Sequence, residues 1–141
     1  MLNDLYRDVI IQRYQAPRHR VRLENADASS SAQNPLCGDE LSIEVRRESG
    51  RIAEAGFQAR GCSISHAAAD LMVDAIVGKS EPEIEAVAEA FRSMMTTEQN
   101  PDPSLGDLLA FQGVKRFPVR VRCALLPWDT LAEALKNAPG S

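Results

Sequence analysis

Two segments with alternating apolar and polar residues constrain the fold of this chain more than any other feature. Residues 40–48, "ELSIEVRRE", place Leu41, Ile43 and Val45 on one side of an extended strand. "SG" at 49 and 50 is a turn signal, and "RIAEAGFQAR" at 51–60 follows it with Ala53, Ala55, Phe57 and Ala59 on one face. An isolated antiparallel hairpin is marginal in water. Helices must therefore cover its apolar face.

The rest of the chain offers those helices. Apolar residues recur at helical spacing over residues 2–15, 63–77 and 81–95, over a short stretch "LGDLLAF", and over about 118–137. Ser80, Pro82 and Glu83 form a capping signal, with Pro82 expected at the first helical position, and Gly78 suits the end of the preceding helix. Pro127 must kink or restart the last helix because it lacks an N–H.

The segment between the first helix and the hairpin carries the weakest structural signal. "ENADASSSAQN", residues 24–34, has few apolar side chains, which is typical of a mobile loop or a short edge segment. The order of elements is helix, hairpin, then helices. It predicts one α+β domain over residues 1–141, a small antiparallel sheet with helices packed on one face.

Composition excludes several classes of function. The 141 residues carry a net charge of −4, which argues against nucleic acid as the main partner. No apolar run reaches the roughly 18 residues of a membrane span, and "MLNDLYRDVI" is not a signal peptide. We therefore expect a cytoplasmic protein whose thiols stay reduced, and the odd number of cysteines, 3, also disfavours a disulfide framework.

The three cysteines all fall at the ends of predicted elements. Cys37 lies in the loop before the hairpin, Cys62 lies between the second strand and a helix, and Cys123 lies in or just before the last helix. With Asp39, two residues from Cys37, they supply the four ligands that a tetrahedral site for a soft metal requires. Polar, glycine-flanked surroundings in "LCGDE" and "RGCS" favour this interpretation.

Plainer interpretations stay open at this point. Free cysteines often pack as small hydrophobic side chains, and Asp39 could simply cap a turn. His66, one helical turn after Cys62, is a further candidate ligand, although a lone histidine on a helix is more often a surface or core residue. Spacing alone does not choose between a metal site and three unrelated cysteines.

Three segments, taken in order, carry a family resemblance. "NPLCGDELSIEV", "GFQARGCSIS" and "FPVRVRCALLPW" resemble the iron–sulfur assembly proteins of the IscU/SufU family, which share the NifU N-terminal-like fold. The early "YQAPRHR" is similar to the family's segment after the first helix. The resemblance spans roughly residues 2 to 135.

Two departures indicate the SufU branch. IscU-type scaffolds carry a histidine immediately before the last cysteine, where this chain has Arg122. The chain between Cys62 and Cys123 is also longer, with an extra helical segment around 81 to 110. "FPVRV" replaces the chaperone-docking Leu-Pro-Pro-Val-Lys of IscU, so an Hsp70-type partner is not expected.

The resemblance implies a single Zn²⁺ held by Cys37, Asp39, Cys62 and Cys123. It implies a protein that takes persulfide sulfur from a PLP-dependent, SufS-like cysteine desulfurase, one of whose histidines takes the vacated zinc position, and that passes the sulfur on to downstream Suf scaffold proteins. Such a protein is a sulfurtransferase-like carrier rather than a stand-alone enzyme. Two alternatives remain: an IscU-type scaffold that assembles a transient [2Fe–2S] cluster on the same ligands, and an interaction domain without metal.

Cys37 is the predicted sulfur acceptor. A thiolate is the nucleophile, and coordination to zinc removes the proton but blunts the sulfur, so one ligand must be able to leave the metal. Cys37, in a polar loop beside Gly38, should cost least to move, and the resemblance to SufU agrees. Three thiolates and a carboxylate around Zn²⁺ leave net negative charge, which Arg60 and Arg122 are predicted to compensate.

Overall fold

The computed structural model describes residues 2–34 and 38–137. A helix, α1 (Leu2–Gln15), is followed by three strands, β1 (Ala28–Asn34), β2 (Asp39–Glu48) and β3 (Arg51–Arg60). Among the described residues, three α-helices follow the strands: α2 (Ser63–Ile76), α3 (Glu81–Thr96) and α4 (Pro118–Asn137). A 3₁₀-helical segment, Pro103–Val114, lies between α3 and α4 and is broken at Gly106, where φ is 58°.

The sheet is antiparallel with strand order β1-β2-β3. Helices α2 and α4 pack on one face of it, and α1 packs on α2, which confirms the predicted α+β class. The apolar residues of the hairpin, Leu41, Ile43, Val45 and Phe57 among them, are buried under these helices. Phe91 extends the core by stacking on Trp128 and contacting Phe111 edge-on.

Strand β1 settles how residues 24–34 are arranged. Ala28–Asn34 forms an edge strand, paired from Ala28 with Val45 to Asn34 with Asp39. Its inward residues are small, and serine or glutamine alternates with them on the outer face. The backbone ladder with β2 and the covering helix α4 stabilise a strand whose side chains supply almost no apolar signal.

A bulge corrects one detail of the hairpin. The register shifts between Arg46 and Arg47, so Ile52 rather than Ala53 joins the core. Ile52 is 1% exposed, whereas Ala53 is only half-buried. One extra residue reverses the alternation of inward and outward side chains between the bulge and the turn of the hairpin. The prediction that Ala53 shares the inner face was therefore wrong.

The helix boundaries follow the expected signals closely. Ser80 caps α3 and Gly78 adopts a positive φ just after α2, as expected, but Pro82 occupies the second helical position rather than the first. Helix α4 continues through Pro127 without a restart.

Arg13 and Asp70 form a buried ion pair that fastens α1 to α2. Asp70 is fully buried and Arg13 is 5% exposed, with 2.6 Å between the Arg13 nitrogen and Asp70 Oδ2. Asp70 Oδ1 also accepts the backbone N–H groups of Arg18 and His19, at 2.9 and 2.8 Å. Burial works to lower the pKa of Arg13, but hydrogen bonds and charge from Asp70 and Asp74 outweigh it and raise that pKa.

We expect the capping carboxylate Glu83 to make stability depend on acid pH. Backbone and hydroxyl hydrogen bonds from Ser80, together with Arg51, lower the pKa of Glu83 from 4.5 to about 2. A carboxylate whose pKa is lower in the folded state stabilises the protein at pH values above its unfolded-state pKa. This contribution to stability is lost as the pH falls towards the folded-state pKa. The stability difference between wild type and Glu83→Gln, from urea unfolding, should therefore shrink as pH falls from 4.5 to about 2. A constant difference across that window would contradict the assignment.

Candidate metal centre

Asp39 is the innermost member of the site. It is the first residue of β2 and is 1% exposed. Its Oδ1 accepts the backbone N–H of Cys62 at 2.7 Å. That bond orients the carboxylate and leaves Oδ2 as the oxygen that lies 3.6 Å from Cys62 Sγ.

Gly61 makes this approach between β3 and Asp39 sterically feasible. Its φ is +115°, in a region that side chains rarely adopt. A Cβ at this position would lie 2.2 Å from Asp39 Oδ1 and 2.8 Å from Asp39 Cα. Glycine is therefore required here for two separate reasons, backbone conformation and space.

Cys62 is the N-cap residue of α2 and is half-buried. The carbonyl of Cys62 accepts Ser65 Oγ at 3.1 Å, and the same hydroxyl oxygen lies 4.0 Å from Cys62 Sγ. These contacts hold the cysteine in place at the start of the helix.

Cys123 reaches the site from α4 and is fully buried. Its Sγ lies 3.5 Å from the carbonyl of Val119, one helical turn earlier. The ligand atoms of Asp39, Cys62 and Cys123 all lie within 4.8 Å of one another. The cysteines at 62 and 123 therefore converge, as a shared site requires, and do not pack at separate places.

The three side chains fit a soft metal ion. Two thiols and one carboxylate are ligands that zinc accepts, and sulfurs bound about 2.3 Å from one tetrahedral ion lie roughly 4 Å apart. The observed spacing needs only small adjustments to reach that arrangement. Asp39 is buried beside the thiols, and a metal ion would compensate its charge.

Cys37, the fourth predicted ligand, lies outside the described residues. Its role as ligand and acceptor stays a prediction that rests on its position two residues before Asp39.

His66 does not join this group among the residues that the structure describes. Its Nδ1 lies 2.9 Å from the carbonyl of Cys62, and its ring meets Tyr14 edge-on, with centroids 5.2 Å apart. The histidine is buried and braces the start of α2.

The two arginines predicted to compensate charge are exposed. Arg60 ends β3 and Arg122 lies beside Cys123 on α4. Neither forms an ion pair within residues 2–34 and 38–137. Their solvent-facing positions leave charge compensation at the metal as a prediction.

Sequence reasoning missed the pair formed by Arg13 and Asp70, which positions the chain leading to the sheet. The available signal was Asp70 itself, a carboxylate inside the apolar run "HAAADLMVDAI" of α2. A charge within a helix stripe that must be buried implies a partner on a neighbouring element.

Comparison with known proteins identifies the family. The sequence model for the NifU-like N terminal domain matches residues 5–124. The chain belongs to the IscU/SufU family. This family member is 36% identical to the iron–sulfur cluster assembly scaffold protein IscU of Streptococcus pyogenes serotype M1, over 97% of this chain and 86% of the relative.

A second relative is equally similar and carries a different description. The zinc-dependent sulfurtransferase SufU of Bacillus subtilis is 36% identical over 99% of this IscU/SufU chain and 95% of the relative. The fold matches the crystal structure of a SUF-system scaffold protein from Fervidobacterium islandicum with a TM-score of 0.85 and 31% identity, over 91% of this chain and 94% of the other. Both the metal-dependent and the scaffold descriptions thus occur among its relatives.

Within the described part of this family member, no helix combines the length and the apolar character needed to cross a bilayer.

Proposed function

We propose that this protein is a zinc-dependent sulfur acceptor in iron–sulfur cluster assembly. The observation that carries the proposal is the convergence of Asp39, Cys62 and Cys123 within 4.8 Å, on a chain that places Cys37 two residues from Asp39. The 36% identity to a zinc-dependent sulfurtransferase supports zinc as the ion. When bound, zinc would keep the cysteine ligands deprotonated at neutral pH.

The proposed transfer conserves electrons. The Cys37 thiolate attacks the outer sulfur of a persulfide on a SufS-like cysteine desulfurase. A sulfur–sulfur bond forms on Cys37, the sulfur–sulfur bond on the partner breaks, and the partner cysteine leaves as a thiolate. The persulfide on Cys37 then passes to downstream Suf scaffold proteins. We expect Arg122, exposed beside Cys123 on α4, to offset part of the added negative charge.

The surface beside Cys62 supports docking of a partner protein. A groove of about 400 Å³ is lined by α1, the start of α2 and the chain entering α4, with Ile11 and Ile64 among its apolar residues. Phe117 in this groove is 54% exposed and Val119, nearby along the chain, is 48% exposed. Exposed apolar side chains grouped beside a reactive site are typical of protein interfaces.

We expect sulfur to be found on Cys37 alone after incubation with a cysteine desulfurase and L-cysteine. Cleavage after arginine and lysine separates the three cysteines, because residues 23–46, 61–79 and 123–136 carry Cys37, Cys62 and Cys123 respectively. Mass spectrometry of alkylated peptides should show the added sulfur in the first of them.

The matched variant is Cys37→Ala, which should take up no sulfur while part of the zinc stays bound through the other three ligands. Sulfur uptake by Cys37→Ala at the wild-type rate would overturn the assignment of the acceptor. Zinc measured in both proteins checks that the site is intact.

The second candidate function is a scaffold that assembles a [2Fe–2S] cluster on the same ligands. The 36% identity to an IscU scaffold favours it, and cysteine serves clusters as well as zinc. Visible absorbance decides between the two, since a zinc protein is colourless and a cluster protein is brown. Arg122, in the position of the scaffold histidine, and the length of chain occupied by α3 and the 3₁₀ segment support the zinc protein.

A further inference from the structure

The outer face of the sheet, away from the helices, carries a polar groove of about 500 Å³. Its floor consists of two rows of side chains that run across all three strands. One row is Ser31, Ser42 and Gln58, and the next is Gln33, Glu40 and Arg60. The second row adjoins the strand ends that carry Asp39 and Gly61, so the groove lies on the opposite face of the sheet beside the metal centre.

The wall of the groove is built by the chain that precedes β1. His19 accepts the N–H of Phe57 through its carbonyl at 3.1 Å, and Val21 then lies against Gly56. A Cβ on Gly56 would lie 2.4 Å from the carbonyl oxygen of Val21. Because glycine allows this approach, Arg20 and Arg22, on either side of Val21, both line the groove.

The groove is basic although the chain is acidic. Arg20, Arg22 and Arg60 face a single carboxylate, Glu40, while the whole chain carries −4. Arg20 donates one hydrogen bond to the carbonyl of Ala59 at 3.4 Å. Within the described chain these three guanidinium groups form no ion pair. Other arginines do form ion pairs, as Arg13, Arg46, Arg47, Arg51 and Arg92 show.

The shape of the groove favours a protein segment over a small molecule. Small-molecule sites enclose most of their ligand and are largely apolar. This groove is open, and the side chains of Arg20, Arg22, Gln33 and Arg60 are exposed. Three isolated arginines on an acidic chain are also a small footprint for nucleic acid.

We propose that the groove binds an extended, carboxylate-rich segment of a partner protein. Three strands spaced about 4.8 Å apart span roughly 10 Å, the length of about three extended residues. Aspartate or glutamate side chains in such a segment would accept paired hydrogen bonds from the guanidinium groups, and Gln33 and Gln58 would supply further donors. The site is separate from the sulfur chemistry and does not depend on it.

The test uses a fluorescent peptide of alternating glutamate and serine, with the same peptide carrying glutamine as the reference. Wild-type protein should raise the fluorescence anisotropy of the glutamate peptide but not that of the glutamine peptide. The increase should be larger at about 0.1 M salt than at about 1 M salt, where the Debye screening length falls to about 3 Å. Replacing Arg20, Arg22 and Arg60 together by glutamine should weaken binding at least about tenfold. The double variant Arg20→Gln/Arg22→Gln keeps Arg60, the neighbour of Gly61, and should weaken binding of the glutamate peptide as well.

The matched control replaces Arg120 and Lys136 by glutamine, since these exposed cationic residues also lack an ion pair among the described residues and lie outside both grooves. It removes the same charge as the double variant Arg20→Gln/Arg22→Gln and should keep affinity within about twofold of wild type. Equal losses in the control and in that double variant would show that the peptide responds only to the overall charge of the protein, and would overturn the proposal. Tighter binding of single-stranded oligothymidine, binding of inorganic phosphate alone, or self-association abolished by the groove variant would also overturn it. Zinc content and melting temperature confirm folding of each variant.

Discussion

Asp70→Asn should lower the free energy of unfolding by about 1.5 to 3 kcal/mol, because it removes one partner of a buried ion pair and leaves Arg13 with the exposed Asp74 as its remaining carboxylate. Asp70 is fully buried, and it also holds the N–H groups of Arg18 and His19. An asparagine of nearly the same shape can keep part of that backbone contact but cannot neutralise the guanidinium. Urea unfolding of zinc-loaded protein, with the slope checked against wild type, measures the difference.

The control for Asp70 is an ion pair of the same type on the surface. Arg92 and Asp129 pair with side chains that are 43% and 59% exposed. Asp129→Asn should cost less than about 1 kcal/mol, as exposed pairs do. If Asp70→Asn and Asp129→Asn lowered the free energy of unfolding equally, the pair formed by Arg13 and Asp70 would not stabilise the fold in the way that its buried geometry indicates.

Gly61→Ala should reduce the affinity of the site for Zn²⁺ by about 10- to 100-fold, the range found when groups that orient metal ligands are changed. The added methyl would collide with Asp39, where Cβ and Oδ1 would be 2.2 Å apart, and would displace the carboxylate that Cys62 N–H orients. Competition with a chromophoric chelator gives the affinity, and the far-ultraviolet circular dichroism spectrum checks the fold.

Gly50→Ala separates strain from collision. Gly50 also has a positive φ, +78°, but no heavy atom lies within 4 Å of a Cβ built there. This variant should lose about 1 to 2 kcal/mol of stability from the left-handed backbone while keeping wild-type affinity for Zn²⁺. If Gly61→Ala bound zinc with an affinity within about threefold of wild type, the position of Asp39 would not depend on Gly61.

Strong periodicity made most of the fold predictable. The hairpin alternates over two strands, and the helices carry continuous apolar stripes, so their positions follow from the sequence within a few residues. Strand β1 was predictable only as one of two alternatives, a mobile loop or a short edge segment, since alanine, serine and glutamine give little contrast between its faces. Ile52 was misplaced because a bulge adds one residue to the count without leaving a sequence signal.

The meeting of the candidate ligands was predictable from the sequence, whereas their binding of a metal ion stays a prediction. Glycine-flanked cysteines at element ends indicated convergence, and the structure brings Cys62 and Cys123 to Asp39. The choice between zinc and an iron–sulfur cluster does not follow from the same residues, because thiolate and carboxylate ligands serve both. Arg20 and Arg22 escaped notice since their meeting with Arg60 depends on how Val21 crosses Gly56.

The three described candidate ligands lie on β2, at the start of α2 and on α4, which are far apart along the chain. An ion bound by all three residues would cross-link the sheet to the helices that cover it. Binding or loss of that ion would then change the stability of the whole core, whereas a fourth ligand could exchange without breaking the cross-link.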